Sequence, residues 1–495
     1  MKRRSRQLSP VTVAEFDQCG DEPRRTGVAA SLSAHRPAAA RRCSLVTLCL
    51  RRPFFFRRGG TRPCPSFGRA TVERPRSPST NGCAMRSIRR GMNGSNGMST
   101  PPSVAWVSTY PPTTCGLATY TASLLGAVER HRAVAGRCTV VSLVNEPSGA
   151  TAAGIEVHEH RRGDAAALAR TVAVLDRHDV VSMQHEFGIY AGDDGSEATD
   201  LIDAITTPTL VTYHTVLREP SARQRSIVMH LTRRSARSIV MSVAAAQRLV
   251  THYGVSADRI EVLPHGFDPR LTPPPEGVRP PDPSARPLAL TWGLIGPGKG
   301  LEVAIEAFAA LTDLDPLPRY RITGATHPGV VAWSGESYRQ ELVDLVRRQG
   351  LQDVVEFDNR YLDAPSLHAQ IRSANVIVLP YLSTEQVTSG VLTEAIGAGK
   401  PVVATRFPHA VEVLGSGAGI AVQQGDPAAM SAAIRTVLAE PGRAAQMAWT
   451  ARRVARDWTW PVVAARFEQI ARTVANGNSS RIPVARRVGP RQLHA

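Results

Sequence analysis

From Val104 to Thr405 short apolar runs alternate with amphipathic stretches long enough for helices, and no other feature constrains the fold as much. Strands are expected at Val104–Thr109, Cys138–Leu143, Asp179–Met183, Thr209–Tyr213, Ser238–Ser242 and Ile260–Leu263. A second series is expected at Leu288–Leu294, Tyr320–Thr323, Val354–Phe357, Val376–Leu379 and Val402–Ala404. Strands alternating with helices predict parallel sheets covered by helices, an α/β architecture. The pattern breaks once, at Pro269–Pro287, where seven prolines follow the first. That density excludes a core element and marks a stiff spacer. A chain of 495 residues also exceeds what one core usually serves.

The resulting division is a leader over residues 1–97, a first α/β domain over 98–275 and a Pro-rich linker over 276–287. A second α/β domain spans 288–456, a helix over 457–476 is expected to pack back toward the first domain, and a basic tail covers 477–495. The net charge of +17 would by itself suggest a nucleic-acid partner. Residues 1–97, however, hold 20 Lys or Arg against 5 Asp or Glu, so +15 of the charge sits there and the remainder carries +17 − 15 = +2. A basic nucleic-acid face on the folded part is thereby excluded. The leader is Arg-rich, with no lasting apolar periodicity, and reads as a disordered extension or a mis-assigned start. Five of the seven cysteines also fall in it, and no C-x-x-C pair occurs, which supports neither a disulfide framework nor a zinc site.

In open parallel sheets ligands bind beyond the carboxyl ends of the strands, and two stretches carry chemistry there. The first is Gly296-Pro297-Gly298-Lys299-Gly300, between a strand and a helix. Only Lys2, Lys299 and Lys400 interrupt a chain that otherwise uses 56 arginines, so a lysine in a glycine turn at a helix start suggests a compact charge for phosphate. Lys400 lies in a helix-to-strand turn, where a cation suits the helix carboxyl end. The second stretch is Tyr381–Thr405, in which a polar loop leads to a helix beginning near Ser389. Amides at that helix start suit a phosphate, and Glu394, on the second turn, suits a ribose diol. The two stretches together predict a sugar-nucleotide site.

Three decoys are set aside. Gly293–Gly300 nearly matches a P-loop but has Gly300 where a magnesium-binding hydroxyl is required. Asp313-Leu314-Asp315 mimics a metal-binding D-x-D but reads as a surface loop, and His158-Glu159-His160 lacks zinc-protease spacing. His185, His214 and His265 are better candidates, since each ends a strand and would face one crevice.

With these residues in view, the chain resembles the retaining glycosyltransferases of family four, whose GT-B fold sets two Rossmann-like domains face to face. The resemblance runs from Val104 to Val474 and rests on Pro111-Pro112 to Gly116, QHEFGIYAG (184–192), VTYHT (211–215), LPHGFD (263–268), the GKG turn and SGVLTEAIGAGKPVVAT (389–405). It looks most like a mannosyltransferase-like bacterial branch.

The resemblance implies that Gly116 closes over the donor diphosphate and that His185 lies at the reacting centre. Gly298, Lys299, Ser389 and Gly390 would hold the diphosphate, with Lys299 neutralising the leaving group. Glu394 would bind the ribose and Arg360 would lie near the base. The donor sugar would meet Glu385 or Gln386, and His214. The implied reaction is metal-independent hexosyl transfer with retention, without a cofactor. GDP-mannose is the favoured donor, with a UDP-hexose as the alternative, and the acceptor is a glycan or lipid-linked hydroxyl. A cytoplasmic enzyme with at most peripheral membrane contact is expected. Two departures bear on this. Gly293 stands where the family carries an Arg, and the Glu-x7-Glu pattern is replaced by Gln386 and Glu394, with Glu385 one place out of register. They motivate the alternatives of a non-catalytic GT-B partner protein or a fold-sharing nucleotide-sugar epimerase.

Overall fold

The computed structural model describes residues 101–132, 138–149, 151–152, 154–272 and 285–477. The expectations for the leader, for most of the Pro-rich linker and for the basic tail beyond Gly477 lie outside these residues. The first domain is a seven-stranded sheet of β1 (Val104–Ser108), β2 (Cys138–Val144), β3 (Glu156–Arg161), β4 (Val180–His185), β5 (Thr209–Tyr213), β6 (Arg237–Val240) and β7 (Ile260–Val262). Its order is β3-β2-β1-β4-β5-β6-β7. The second domain holds β8 (Leu288–Trp292), β9 (Arg319–Thr323), β10 (Val355–Asp358), β11 (Val376–Leu379), β12 (Val402–Thr405) and β13 (Gly419–Val422), ordered β10-β9-β8-β11-β12-β13. Every ladder is parallel.

Helices on both faces bury the central strands from end to end, so β1, β4, β5, β8, β11 and β12 are buried at every position and mostly apolar. The order reverses between β1 and β4 in one sheet and between β8 and β11 in the other. These switch points open crevices at the strand ends. They set the loops after β8 (Gly293–Gly300) and β11 (Pro380–Ser389) side by side, with the Leu382 amide donating to Gly298 O at 2.9 Å.

The sequence reading lacks β3 and β13. Both are edge strands: β3 is mostly partly exposed and polar, and β13 begins at a glycine. With one neighbour apiece, they do not need the mostly apolar run that marks a central strand. The His158–His160 segment lies in β3, where His160 bonds Thr171 Oγ1 at 2.8 Å and Glu197 Oε1 at 3.1 Å. Asp313 is taken up by an ion pair with Arg435 at 2.7 Å.

Two passages connect the domains. Around Phe267 the chain leaves the first sheet, and at Trp458–Trp460 it returns. The passages bond to each other through Phe267 N–Trp458 O and Trp460 N–Phe267 O, both 3.0 Å. Gly266 is required there, because a Cβ would lie 2.1 Å from the Trp460 ring. The returning helix, Trp460–Ala475, then packs on Gly116–His131 of the first domain. Phe467 stacks on Trp106 with centroids 4.7 Å apart, and Glu468 pairs with buried Arg132.

The loop after β11 also reaches across the crevice, and Val387 is buried in the first domain's core. Arg248, on the Val243–Tyr253 helix, donates to Thr384 O at 3.0 Å and pairs with Glu385 Oε2 at 2.5 Å. Glu412 accepts from the Val243 and Ala244 amides at 3.0 and 2.9 Å, capping that helix from the other domain.

Candidate functional site

Lys299 is held by the turn it sits in. Gly300 has φ +65° and a Cβ there would lie 2.0 Å from Pro380 O, so only glycine lets the turn approach β11 this closely. Lys299 Nζ lies 4.7 Å from the centroid of the Tyr381 ring. Among the described residues no carboxylate pairs with it, and burial lowers its pKa. Thr291, Trp292, Gly293, Thr323 and Tyr381 line a small recess with it at the β8 end. An uncompensated cation in such a recess is suited to an anion that arrives with its ligand.

The Gly390–Gly397 helix starts opposite. Ser389 caps it by accepting from Leu392 N at 3.2 Å. Glu394 accepts from Trp292 Nε1 at 3.1 Å through Oε2, and burial pushes its pKa up to about 7. Trp292 is a site residue that the sequence reading missed. Its position at the last residue of β8 was the available signal.

Two neutral histidines, His265 and His409, meet this helix start, and a third, His214, shares the Tyr120 ring with His265. His265 Nδ1 is 2.7 Å from Gly266 O, which can only accept, so Nδ1 carries the proton. Its Nε2 would lie 3.0 Å from a Cβ on Gly390, which shows how closely the first domain meets the helix. His214 Nε2 bonds Gln184 Oε1 at 2.9 Å, with the Tyr120 ring 4.8 Å away. His409 Nδ1 accepts from Ser389 N at 3.0 Å. Burial lowers their pKa values to about 3 for His214, about 4 for His265 and about 3 for His409. His409 carried no motif signal and could not be found from the sequence.

Four sequence-based candidates meet other partners than the resemblance implies. His185 does not face the crevice: strand alternation puts it on the side of Val181 and Met183, among Phe187, Tyr190 and Tyr213. It is 0% exposed, neither ring nitrogen has a partner, and burial lowers its pKa to about 3. Glu385 turns to the first domain, where its carboxylate accepts from Arg248 and from Arg218 N at 2.7 Å. Gln386 turns its amide to Thr388 O. The Ser389 amide is taken by His409, which leaves Gly390 and Val391 to present free amides at the helix start.

The remaining candidates are placed as follows. Gly298, with φ +82°, lies in the Lys299 turn. Gly116 is exposed at the first residue of its helix, after the Cys115 cap. Arg360 is an exposed side chain paired with Asp358 at 2.8 Å, at the end of β10, and this pairing holds Asp358 well below the usual carboxylate range. Lys400 donates to Arg372 O at 2.6 Å and Ala374 O at 2.8 Å, at the close of the Ala364–Ser373 helix. Among the described residues no group of His, Cys, Asp or Glu could hold a metal ion, and no helix is long and apolar enough to cross a membrane.

Two Rossmann-like domains with facing switch-point crevices define the GT-B class of fold. The family comparisons divide the chain at the same place. Residues 131–271 match the model of Glycosyltransferase Family 4, and residues 279–454 match that of Glycosyl transferases group 1. The chain therefore carries a pair of glycosyltransferase domains. It is 30% identical over 253 residues to D-inositol 3-phosphate glycosyltransferase of Nocardiopsis dassonvillei, covering 49% of this chain and 56% of that protein. It is 28% identical over 278 residues to glycogen synthase of Mycobacterium tuberculosis, covering 54% and 63% respectively. The matched region thus spans little more than half the length of these curated relatives. Among solved structures it is similar to HepE of Anabaena in complex with UDP, at 18% identity and a TM-score of 0.58, over 76% of this chain and 100% of that one. Sucrose-phosphate synthase from Thermosynechococcus elongatus is similar at 18% identity and a TM-score of 0.59, over 76% and 99%.

Proposed function

We propose that this chain is a retaining glycosyltransferase that moves a hexosyl group from a nucleoside-diphosphate sugar to a hydroxyl of a glycan or lipid-linked acceptor. The observation that carries this reading is Lys299, a cation that among the described residues has no carboxylate partner, at the β8/β11 switch point beside Tyr381 and the helix that bears Glu394. In the reaction the bond from the anomeric carbon to the diphosphate oxygen breaks and a bond to the acceptor oxygen forms on the same face. The acceptor proton passes to the departing diphosphate. Lys299, with the amides of Gly390 and Val391, stabilises the charge that develops on the leaving group. Glu394 and Trp292 fix the ribose end, and Arg360 stands toward the base. The histidines stay neutral at physiological pH, so His214 and His265 supply oriented hydrogen-bonding groups rather than charge.

For the donor, the likeness to HepE, solved also with UDP-glucose, supports a UDP-hexose at least as well as the GDP-mannose that the motif resemblance favours. The relatives named above support acceptors that are phosphorylated polyols or glucans alongside lipid-linked glycans. The site draws on both domains, and its reaction is read as taking place in the cytoplasm, with at most peripheral membrane contact.

The test is thermal stability of the full chain with UDP, GDP and ADP separately, followed by transfer assays with the sugar nucleotide of whichever base stabilises. A ligand at about 100 times its dissociation constant should add about 2.7 kcal/mol. Product with the donor's anomeric configuration, and turnover reduced by at least about a hundredfold in Lys299→Ala, are expected. Undiminished turnover in that variant removes Lys299 from the chemistry. A folded chain that binds no nucleotide favours instead a non-catalytic partner protein, a reading motivated by Gly293 and Gln386.

A further inference from the structure

A second concavity, of about 470 Å³, lies at the opposite end of the Gly390–Gly397 helix from the nucleotide crevice. Its wall includes Thr272, Trp449, Arg452, Arg453, Arg456 and Thr459. Both passages between the domains contribute to it, one through Phe267 and Thr272 and the other through Ala455 and Thr459. The three arginines are exposed, and among the described residues none has a carboxylate partner, although Asp457 adjoins Arg456 in sequence. By contrast, Arg443 on the same helix pairs with Glu440, and Arg435 on the preceding one pairs with Asp313.

The arginines are also partly pre-positioned. Arg453 lies over the Trp449 ring at 4.8 Å, and Arg452 packs against Gly399, where a Cβ would lie 2.7 Å from its Cγ. Cations in a last helical turn complement the helix dipole, which accounts for Arg452 and Arg453 at the end of Pro441–Val454. It does not account for Arg456, which lies beyond that helix in the Ala455–Asp457 turn, nor for the concavity. Thr459 adds a hydroxyl that does not cap the helix it precedes. The local field is positive enough to act on a neighbour. Lys400 is pushed down to about 8 by burial, then by Arg372 and Arg452.

We propose that this concavity is a phosphate-binding site, separate from the nucleotide crevice, that takes the phosphate monoester of a small molecule or a lipid headgroup. Guanidinium forks match phosphate oxygens in pairs, and three of them without competing carboxylates suit a dianion better than a monoanion. The inference does not depend on the transferase reading, because no residue of the pocket belongs to the nucleotide crevice.

The test is calorimetric titration of the full chain with inorganic phosphate and with glucose 6-phosphate. A parallel arm measures sedimentation with phosphatidylcholine vesicles, with and without phosphatidic acid. Binding weakened about tenfold or more in Arg452→Ala/Arg456→Ala, and less severely in the conservative Arg453→Gln, is expected, the loss of one or two charge-assisted contacts. Arg443→Gln, which removes a nearby paired charge, and Lys299→Ala, which alters the other site, should leave this binding within about twofold of the parent. Nucleotide stabilisation should be the same in the parent and in the Arg452→Ala/Arg456→Ala protein. Binding of soluble phosphates assigns a small-molecule source, and binding only to phosphatidic acid vesicles assigns a lipid one. The proposal is overturned if no probe binds, if Arg443→Gln loses as much as Arg452→Ala/Arg456→Ala, or if phosphate binding disappears with Lys299.

Discussion

Glu394 carries the most exacting quantitative demand of the proposed site. Its carboxyl is pushed up to about 7 by burial, against the opposing effect of the Trp292 indole N–H. A ribose diol donates two hydrogen bonds to an ionised carboxylate, whereas a protonated acid must give up one acceptor site. Sugar-nucleotide affinity should therefore rise with pH through about 7. With a titration centred there, about a tenth of the molecules are ionised at about pH 6 and about nine-tenths at about pH 8. If the ionised form is the binding form, the gain is about tenfold, or about 1.4 kcal/mol. Calorimetry with an intact sugar nucleotide is the suitable assay, because its pyrophosphate diester does not titrate in this range, as a free nucleoside diphosphate would. Repeating the titration at about pH 7 in buffers of different ionisation enthalpy should show about half a proton released on binding. The nearby histidines cannot supply this signal, since His214, His265 and His409 are pushed down to about 3, about 4 and about 3. Lys299 has the opposite sign: burial lowers its pKa, and losing its charge as pH rises would weaken binding. Glu394→Gln should flatten the profile. A flat or falling affinity in the parent, or the same rise in the Gln variant, would refute the assignment of Glu394 to the ribose.

The same burial has a stability consequence. A carboxyl raised from 4.5 to about 7 costs the native state nothing below about pH 4.5, and stability is lost as pH rises to about 7, by at most about 3 kcal/mol. Glu394→Gln should accordingly raise Tm more at pH 8 than at pH 5, and equal shifts would contradict the burial. Arg248→Ala leaves Glu385 without its principal countercharge between the domains, a loss of about 3 kcal/mol. A double-mutant cycle with Glu385→Gln should show coupling, whereas additive losses would mean that the contact contributes nothing. Gly300→Ala places a Cβ 2.0 Å from Pro380 O, so nucleotide affinity and Tm should both fall, and an unchanged affinity would separate the turn from the site.

Features governed by local chemistry were the ones legible in the sequence. The central strands could be read because burial on both faces demands a mostly apolar run, and the Lys299 turn because its glycines and rare lysine stand between a strand and a helix. Edge strands β3 and β13 escaped because one open side relaxes that demand. The side-chain placements within the site were not legible, for a different reason. His185 and His214 occupy similar places at strand ends, but the direction of the side chain depends on the strand's alternation and on the neighbours it meets. His185 falls among aromatic rings, whereas His214 meets Gln184 and Tyr120. The displaced acid at 385 could be seen as out of register, but its partner Arg248 lies 137 positions away and is brought to it only by the meeting of the two domains.

That meeting also ties the position of the domains to the state of the site. Within one short loop, Thr384 and Glu385 bond to Arg248, Val387 is buried in the first domain's core, and Ser389 caps the helix that carries Glu394. His265 touches the same helix start from the first domain, and His409 holds the Ser389 amide from within the second. Moving the domains apart would withdraw Val387, break the Arg248 contacts and free the Glu385 carboxylate together. The loop would then lose the contacts that fix its path to the helix start. Glu385, out of register with the family pattern, thus joins the two domains through Arg248 and the Arg218 amide. In the proposed reaction, with Gly293 where the resembled family carries an Arg, charge on the leaving diphosphate would fall to Lys299 and the amides of Gly390 and Val391. Those amides are aimed by the loop that these contacts hold, so loosening them should impair turnover as well as stability.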